Sequence, residues 1–94
     1  MLVVQGMKTA AQTERLLRRA VRRLGNGWTV SEVPGKGGRQ RGKGSHKMIG
    51  LYDGNQALLA WTTIPQHPGD LSPVVTREIE ATFEPYFGKG WMDK

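Results

Sequence analysis

Leu16, Leu17, Ala20, Val21 and Leu24 recur at the three- and four-residue spacing of a single helix face, and the run is punctuated at both ends. Thr9 and Gln12 stand at the spacing of a capping box, in which each side chain satisfies a backbone N–H that the first helical turn leaves without a partner. Gly25-Asn26-Gly27 follow the last apolar residue, and these residue types adopt the left-handed backbone that closes a helix. An amphipathic helix is therefore predicted over residues 10–24. Arg15, Arg18, Arg19, Arg22 and Arg23 cover its remaining surface, with Glu14 one turn ahead of Arg18. A helix with one apolar stripe obliges the rest of the 94-residue chain to supply one apolar surface to bury it.

The next segment has the period of strands. Residues 28–33 alternate, with Trp28 and Val30 on one face, and predict a first strand. Pro34 and a cluster of glycines interrupt any regular pattern until His46. Met48, Ile49, Leu51 and Tyr52 predict a second strand over 47–52, Asp53-Gly54 a hairpin turn, and Leu58, Leu59, Trp61 and Ile64 a returning strand over 57–64. Ser72-Pro73 is a helix start, serine as N-cap and proline in the first turn, and Val75, Ile79 and Phe83 supply the stripe. Pro85 is expected to end or kink this helix near Glu84. The order helix, three strands, helix predicts an α+β fold: a three-stranded antiparallel sheet with two helices on one face, the α-β-β-β-α topology of double-stranded-RNA-binding domains. Trp28, Trp61 and Phe83 fit core positions, which leaves base stacking by aromatics the minor option. Residues 1–94 read as one domain with a core over 7–84, a basic glycine-rich loop over 34–45 and a C-terminal extension over 86–94, in which Trp91 is a candidate to dock on a partner.

The net charge of +6 is unevenly spread. Eleven lysines and arginines face two glutamates in residues 1–47, whereas residues 48–94 hold three cations against six acids. A molecule polarised in this way attracts polyphosphates. Cysteine is absent, which excludes disulfides, zinc ribbons and thiol catalysis. No apolar run approaches the roughly 20 residues of a membrane span, and residues 1–6 are too short and uncharged for a signal peptide. A cytoplasmic location is the expectation. His46 and His67 lie in different elements, and Asp53, Asp70 and Asp93 lack ligand spacing, so neither metal nor cofactor is expected.

Gly37 to Lys43 imitates the start of a phosphate-binding P-loop, but Gly44 stands where serine or threonine is required and a strand follows instead of a helix. The segment offers cations instead: Lys36, Arg39, Arg41 and Lys43, with Lys47 just beyond, among glycines that let a backbone approach phosphate closely. Such contacts position a nucleic acid without reading its sequence. His46, between Ser45 and Lys47, is the candidate for chemistry. A histidine, with an ordinary pKa of about 6.5, exchanges protons near neutral pH. It is suited to act as general base for an RNA 2′-hydroxyl attacking the adjacent phosphate, without a metal. His67 has two readings, the second member of an acid–base pair or a structural hydrogen bond in its Pro-rich loop. Two classes of function therefore remain open: an endoribonuclease, or a non-catalytic double-stranded-RNA-binding or ribosome-associated basic protein. The second class usually places a lysine cluster at the start of its last helix, where this chain has only Arg77 among acids.

Met7-Lys8 opening a helix, Gly27-Trp28 after it, Gly44-Ser45-His46 entering the second strand, Thr63-Ile64-Pro65 followed by His67, and Leu71 before the last helix form an ordered set. In order and spacing this set resembles the HicA (YcfA-like) toxins of bacterial HicA–HicB toxin–antitoxin pairs, which are small mRNA interferases. The resemblance covers residues 7–84. It implies a double-stranded-RNA-binding-like fold, mRNA as substrate, His46 at the family's catalytic histidine and a HicB-type antitoxin that blocks the site. On that reading Ser45 and Lys47 hold the scissile phosphate, while Lys43, Arg41, Arg39 and Lys36 follow the RNA backbone. The chain departs from the family pattern in its longer, more basic loop, in residues 1–6 and in residues 86–94.

Overall fold

The helix announced by the capping box forms over the expected residues. In the computed structural model, which describes residues 8–33, 46–66 and 68–93, helix α1 spans Ala10–Leu24. Thr9 Oγ1 accepts from the Gln12 N–H at 3.1 Å, and Gln12 Oε1 accepts from the Thr9 N–H at 2.9 Å. Gly25 ends the helix in the left-handed region, at φ 60°. Leu17 and Thr13 are wholly buried, and the Thr13 hydroxyl donates to the Thr9 carbonyl at 2.9 Å, so no polar group on the stripe is left unsatisfied.

Three strands follow: β1 (Thr29–Glu32), β2 (His46–Tyr52) and β3 (Leu58–Pro65). They form one sheet in the order β1-β2-β3, antiparallel throughout, with β2 in the centre. The architecture is the expected α+β arrangement. Side chains alternate across a sheet, and the register sorts them. Val30 lies opposite Leu51, Ile49 opposite Thr62 and Lys47 opposite Ile64, so these residues share one face. Val30, Ile49, Leu51 and Ile64 are buried there with Leu17, Leu71, Ile79 and Phe83, and this is the core under the helices. The other face carries Ser31, Val33, His46, Met48, Gly50, Tyr52, Trp61 and Thr63, and the helices leave it uncovered.

The Asp53-Gly54 signal marks the hairpin, but the loop is longer than a two-residue turn. The Asp53 carboxylate accepts from the N–H groups of Asn55 at 2.8 Å and Ala57 at 3.0 Å, and Gln56, not Gly54, takes the left-handed backbone, at φ 70°. A register shift at Leu51/Tyr52 then sets Tyr52 opposite Leu58.

Helix α2 (Pro73–Phe87) starts where expected, with Ser72 Oγ accepting from the Val75 N–H at 3.2 Å. It does not stop at Glu84. Pro85 sits inside the last turn, where it forfeits one backbone hydrogen bond, and tertiary packing keeps the helix going. The Tyr86 ring meets Trp28 edge-on at 6.0 Å, Phe87 stacks on Phe83 at 5.8 Å, and the Gly88 N–H bonds the Glu84 carbonyl at 2.8 Å. A 3-10 turn, Trp91–Asp93, closes the described chain. The expectation that Trp91 docks on a partner is corrected: the residue is 4 % exposed, packs edge-on against Phe83 and Phe87, and donates its indole N–H to the Glu80 carbonyl at 2.9 Å. Among the described residues no helix is long and apolar enough to cross a membrane.

Candidate nucleic-acid interface

His46 is the first residue of the central strand and is exposed. Its cross-strand neighbour is Pro65, and its near neighbour on the other side is the end of β1, where the Val33 N–H bonds the Met48 carbonyl at 2.8 Å. The side chain therefore stands at one end of the uncovered face. Pro65 is also two residues ahead of His67 in the chain; His67 itself, and the expected phosphate contacts Ser45, Lys43, Arg41, Arg39 and Lys36, lie outside the described residues.

Lys47 follows His46, and the alternation of a strand sends it to the opposite face. There Lys47 Nζ meets Glu14 Oε1 at 3.1 Å, while Glu14 Oε2 accepts from Arg18 Nη2 at 2.9 Å. Arg18 in turn donates from Nη1 to the Val30 carbonyl at 2.8 Å. One carboxylate thus links β2 and α1, and its Arg18 partner reaches β1. Burial pushes the Glu14 carboxyl up, but hydrogen bonds from Arg18 and Lys47, reinforced by their charges, outweigh it and hold the group below the usual carboxylate range. The structure brings Lys47 to Glu14, not to the side of the sheet on which His46 stands.

Sequence reasoning placed Trp61 in the core, and the structure corrects this. Trp61 lies opposite Gly50 on the uncovered face and is 50 % exposed. Strand β3 is apolar at both alternations, so its pattern alone does not say which set points inward. Parity with Ile64, three residues on, was the available signal: an odd separation along a strand puts two side chains on opposite faces. Trp28 and Phe83 do join the core, as expected.

Apolar side chains gather over Gly50, the cross-strand partner of Trp61. A Cβ at Gly50 would come within 2.6 Å of Leu58 Cδ1, 2.8 Å of Val33 Cγ2 and 3.3 Å of Tyr52 Cε1, so side chains from all three strands' ends converge over that glycine. None of the described positions of this face is Asp or Glu; the carboxylates occupy α1, the hairpin, α2 and the turns beside it, and Glu32 on the alternate parity of β1. Among the described residues, no three His, Asp or Glu side chains are grouped so as to hold a metal ion. In comparisons with known proteins, no family model matches the chain, and neither a curated protein nor a solved structure matches it.

Proposed function

We propose that this chain is an RNA-cleaving toxin of the HicA kind, a metal-independent endoribonuclease restrained by a HicB-type antitoxin that covers its site. The observation that supports this best is the placement of His46: exposed, on the uncovered face, and directly after the cationic stretch 34–45. In the reaction His46 accepts the proton of a substrate 2′-hydroxyl. The 2′-oxygen bonds to the adjacent phosphorus, the bond from phosphorus to the 5′-oxygen breaks, and water supplies the proton to that leaving oxygen. A cyclic phosphate and a 5′-hydroxyl result. The nucleophile belongs to the RNA, so the protein has to supply a base and positive charge.

Phosphate contacts fall to Ser45, Lys43, Arg41, Arg39 and Lys36 in this scheme. Lys47 has a different part, since its ammonium is engaged by Glu14: it ties the start of β2, and with it His46, to helix α1.

Cleavage of single-stranded RNA by the purified chain, with and without EDTA, tests the reading. His46→Ala is expected to lower the rate by roughly 10²- to 10⁴-fold, the usual contribution of a positioned base, while RNA binding persists. Full cleavage by His46→Ala, or cleavage of an all-DNA strand, overturns the mechanism. RNA binding without any cleavage by the wild type would instead favour a non-catalytic RNA-binding protein.

A further inference from the structure

The uncovered sheet face is a feature that the proposed chemistry at His46 leaves unused. Its residues form four cross-strand rungs: His46 with Pro65, Met48 with Thr63, Gly50 with Trp61, and Tyr52 with Leu58. A single exposed apolar residue needs no explanation. Here Trp61 at 50 % and Leu58 at 43 % exposure share one face with half-buried Val33, Met48 and Tyr52, and the shared face makes them a surface. Leu58, Val33 and Tyr52 close over Gly50, the cross-strand partner of Trp61, so that their carbon atoms fill the space a side chain there would take.

We propose that this face is a stacking platform for the bases of single-stranded RNA, with Trp61 as its anchor and His46 at its end. The inference rests on the ribonuclease reading and adds to it the strandedness of the substrate and the residue that holds it. Three observations favour RNA over other occupants. Indole and phenol rings offer flat π-surfaces on which any base stacks, and this kind of contact tolerates sequence. None of the face's described positions is a carboxylate, and both of its margins at the His46 end, Val33 and His46 itself, are covalently joined to the stretch 34–45 with its four cations, which suits a polyanion. The rungs also set a direction: Trp61 stands four residues from Pro65, about 13 Å along the sheet from the His46 rung, so a strand held at Trp61 runs past Thr63 and Met48 to the base. Duplex RNA buries its bases in the helical stack and has nothing to offer the ring.

The test uses the full chain carrying His46→Ala, which binds without cutting, and short unstructured oligo(U) and oligo(A) strands at fixed low salt. Adding Trp61→Ala is expected to weaken binding about tenfold, in line with the loss of one base–aromatic stack. Trp61→Leu keeps an apolar side chain without a flat ring and should lose as much, whereas Trp61→Phe should retain most of the affinity. Tryptophan fluorescence should be quenched by the strand, less so by a duplex of the same length, and the quench should vanish in Trp61→Phe, where Trp28 and Trp91 remain. In the active protein Trp61→Ala should raise KM more than it lowers kcat. If Trp61→Ala proves unfolded, the Leu and Phe variants decide alone. Equal binding by Trp61→Leu and wild type, an unchanged KM, or equal quenching by duplex overturns the stacking platform while the ribonuclease reading stands. Loss of a protein partner's binding with RNA binding intact assigns the face to that partner and overturns it as well. A wild type that neither binds nor cleaves RNA removes the ribonuclease reading and this inference with it.

Discussion

Ile49 and Leu51 on one side of β2 are shut off from water, whereas Met48 and Tyr52, their immediate neighbours in the chain, are half exposed on the other side. The same seven residues thus serve two surfaces. One is closed by α1, α2 and the 3-10 turn around Leu17, Phe83 and Trp91; the other lies away from α1 and α2 and presents His46 at its end. The period of two along a strand separates them so cleanly that side chains on one face can change without touching the packing of the other. The buried packing then belongs to one set of alternate positions, while the other set meets solvent.

Paired substitutions across the sheet put that separation at risk. Phe83→Ala, which empties the middle of the covered side, should cost about 3–5 kcal/mol, much of the 5–15 kcal/mol typical of a whole domain, and urea unfolding would read it. Trp61→Ala removes a still larger ring from the open side and should shift the same curve by less than about 1 kcal/mol. Comparable losses for the two would end the comparison. Gly50→Ala sharpens it, because its methyl group would point outward into Leu58 and Val33; a cost of about 1–3 kcal/mol is expected, with the covered side unchanged by NMR shifts of Ile49 and Leu51.

Two further effects belong to α1. Thr9→Ala removes the hydroxyl that receives the Gln12 N–H and should cost about 1 kcal/mol in thermal or urea unfolding. The smallest effect is a pH dependence. The Glu14 carboxyl is held below its ordinary value, so its stabilisation is complete above the unfolded-state pKa of about 4.3 and is lost as pH falls through the lower folded-state value. Acid titration of stability should therefore lose a small component in Glu14→Gln, under about 1 kcal/mol because the ion pairs are partly exposed to solvent. A larger change, or one at higher pH, would assign the linkage between α1 and β2 to other groups.

Much of this layout could be read before any coordinates, and the parts that could not share a cause. The capping box, the Gly25-Asn26-Gly27 stop, the alternation around Val30 and the Ser72-Pro73 start are local signals, and local interactions decide them. His46 was legible as a junction, since a glycine-rich cationic run meets an apolar one there. The continuation of α2 through Pro85 was not, because rings from Trp28 and Trp91 hold that turn from other parts of the chain. The ion pair of Lys47 was not legible either, because Glu14, its partner, lies 33 residues away. Trp61 looked like core because β3 is apolar on both alternations and only the register with β2 assigns its side.

The two outer strands have one further consequence. On β1 the Val30 carbonyl is taken by Arg18, and on β3 the Leu59 carbonyl is taken by the Tyr86 hydroxyl at 3.2 Å. A sheet's edges are the places where another chain adds a strand and where aggregation begins, and here each edge has an acceptor already engaged by a side chain from a helix. Growth of the sheet sideways, into a dimer or a fibril, has to displace Arg18 or Tyr86 first, which directs association toward the faces.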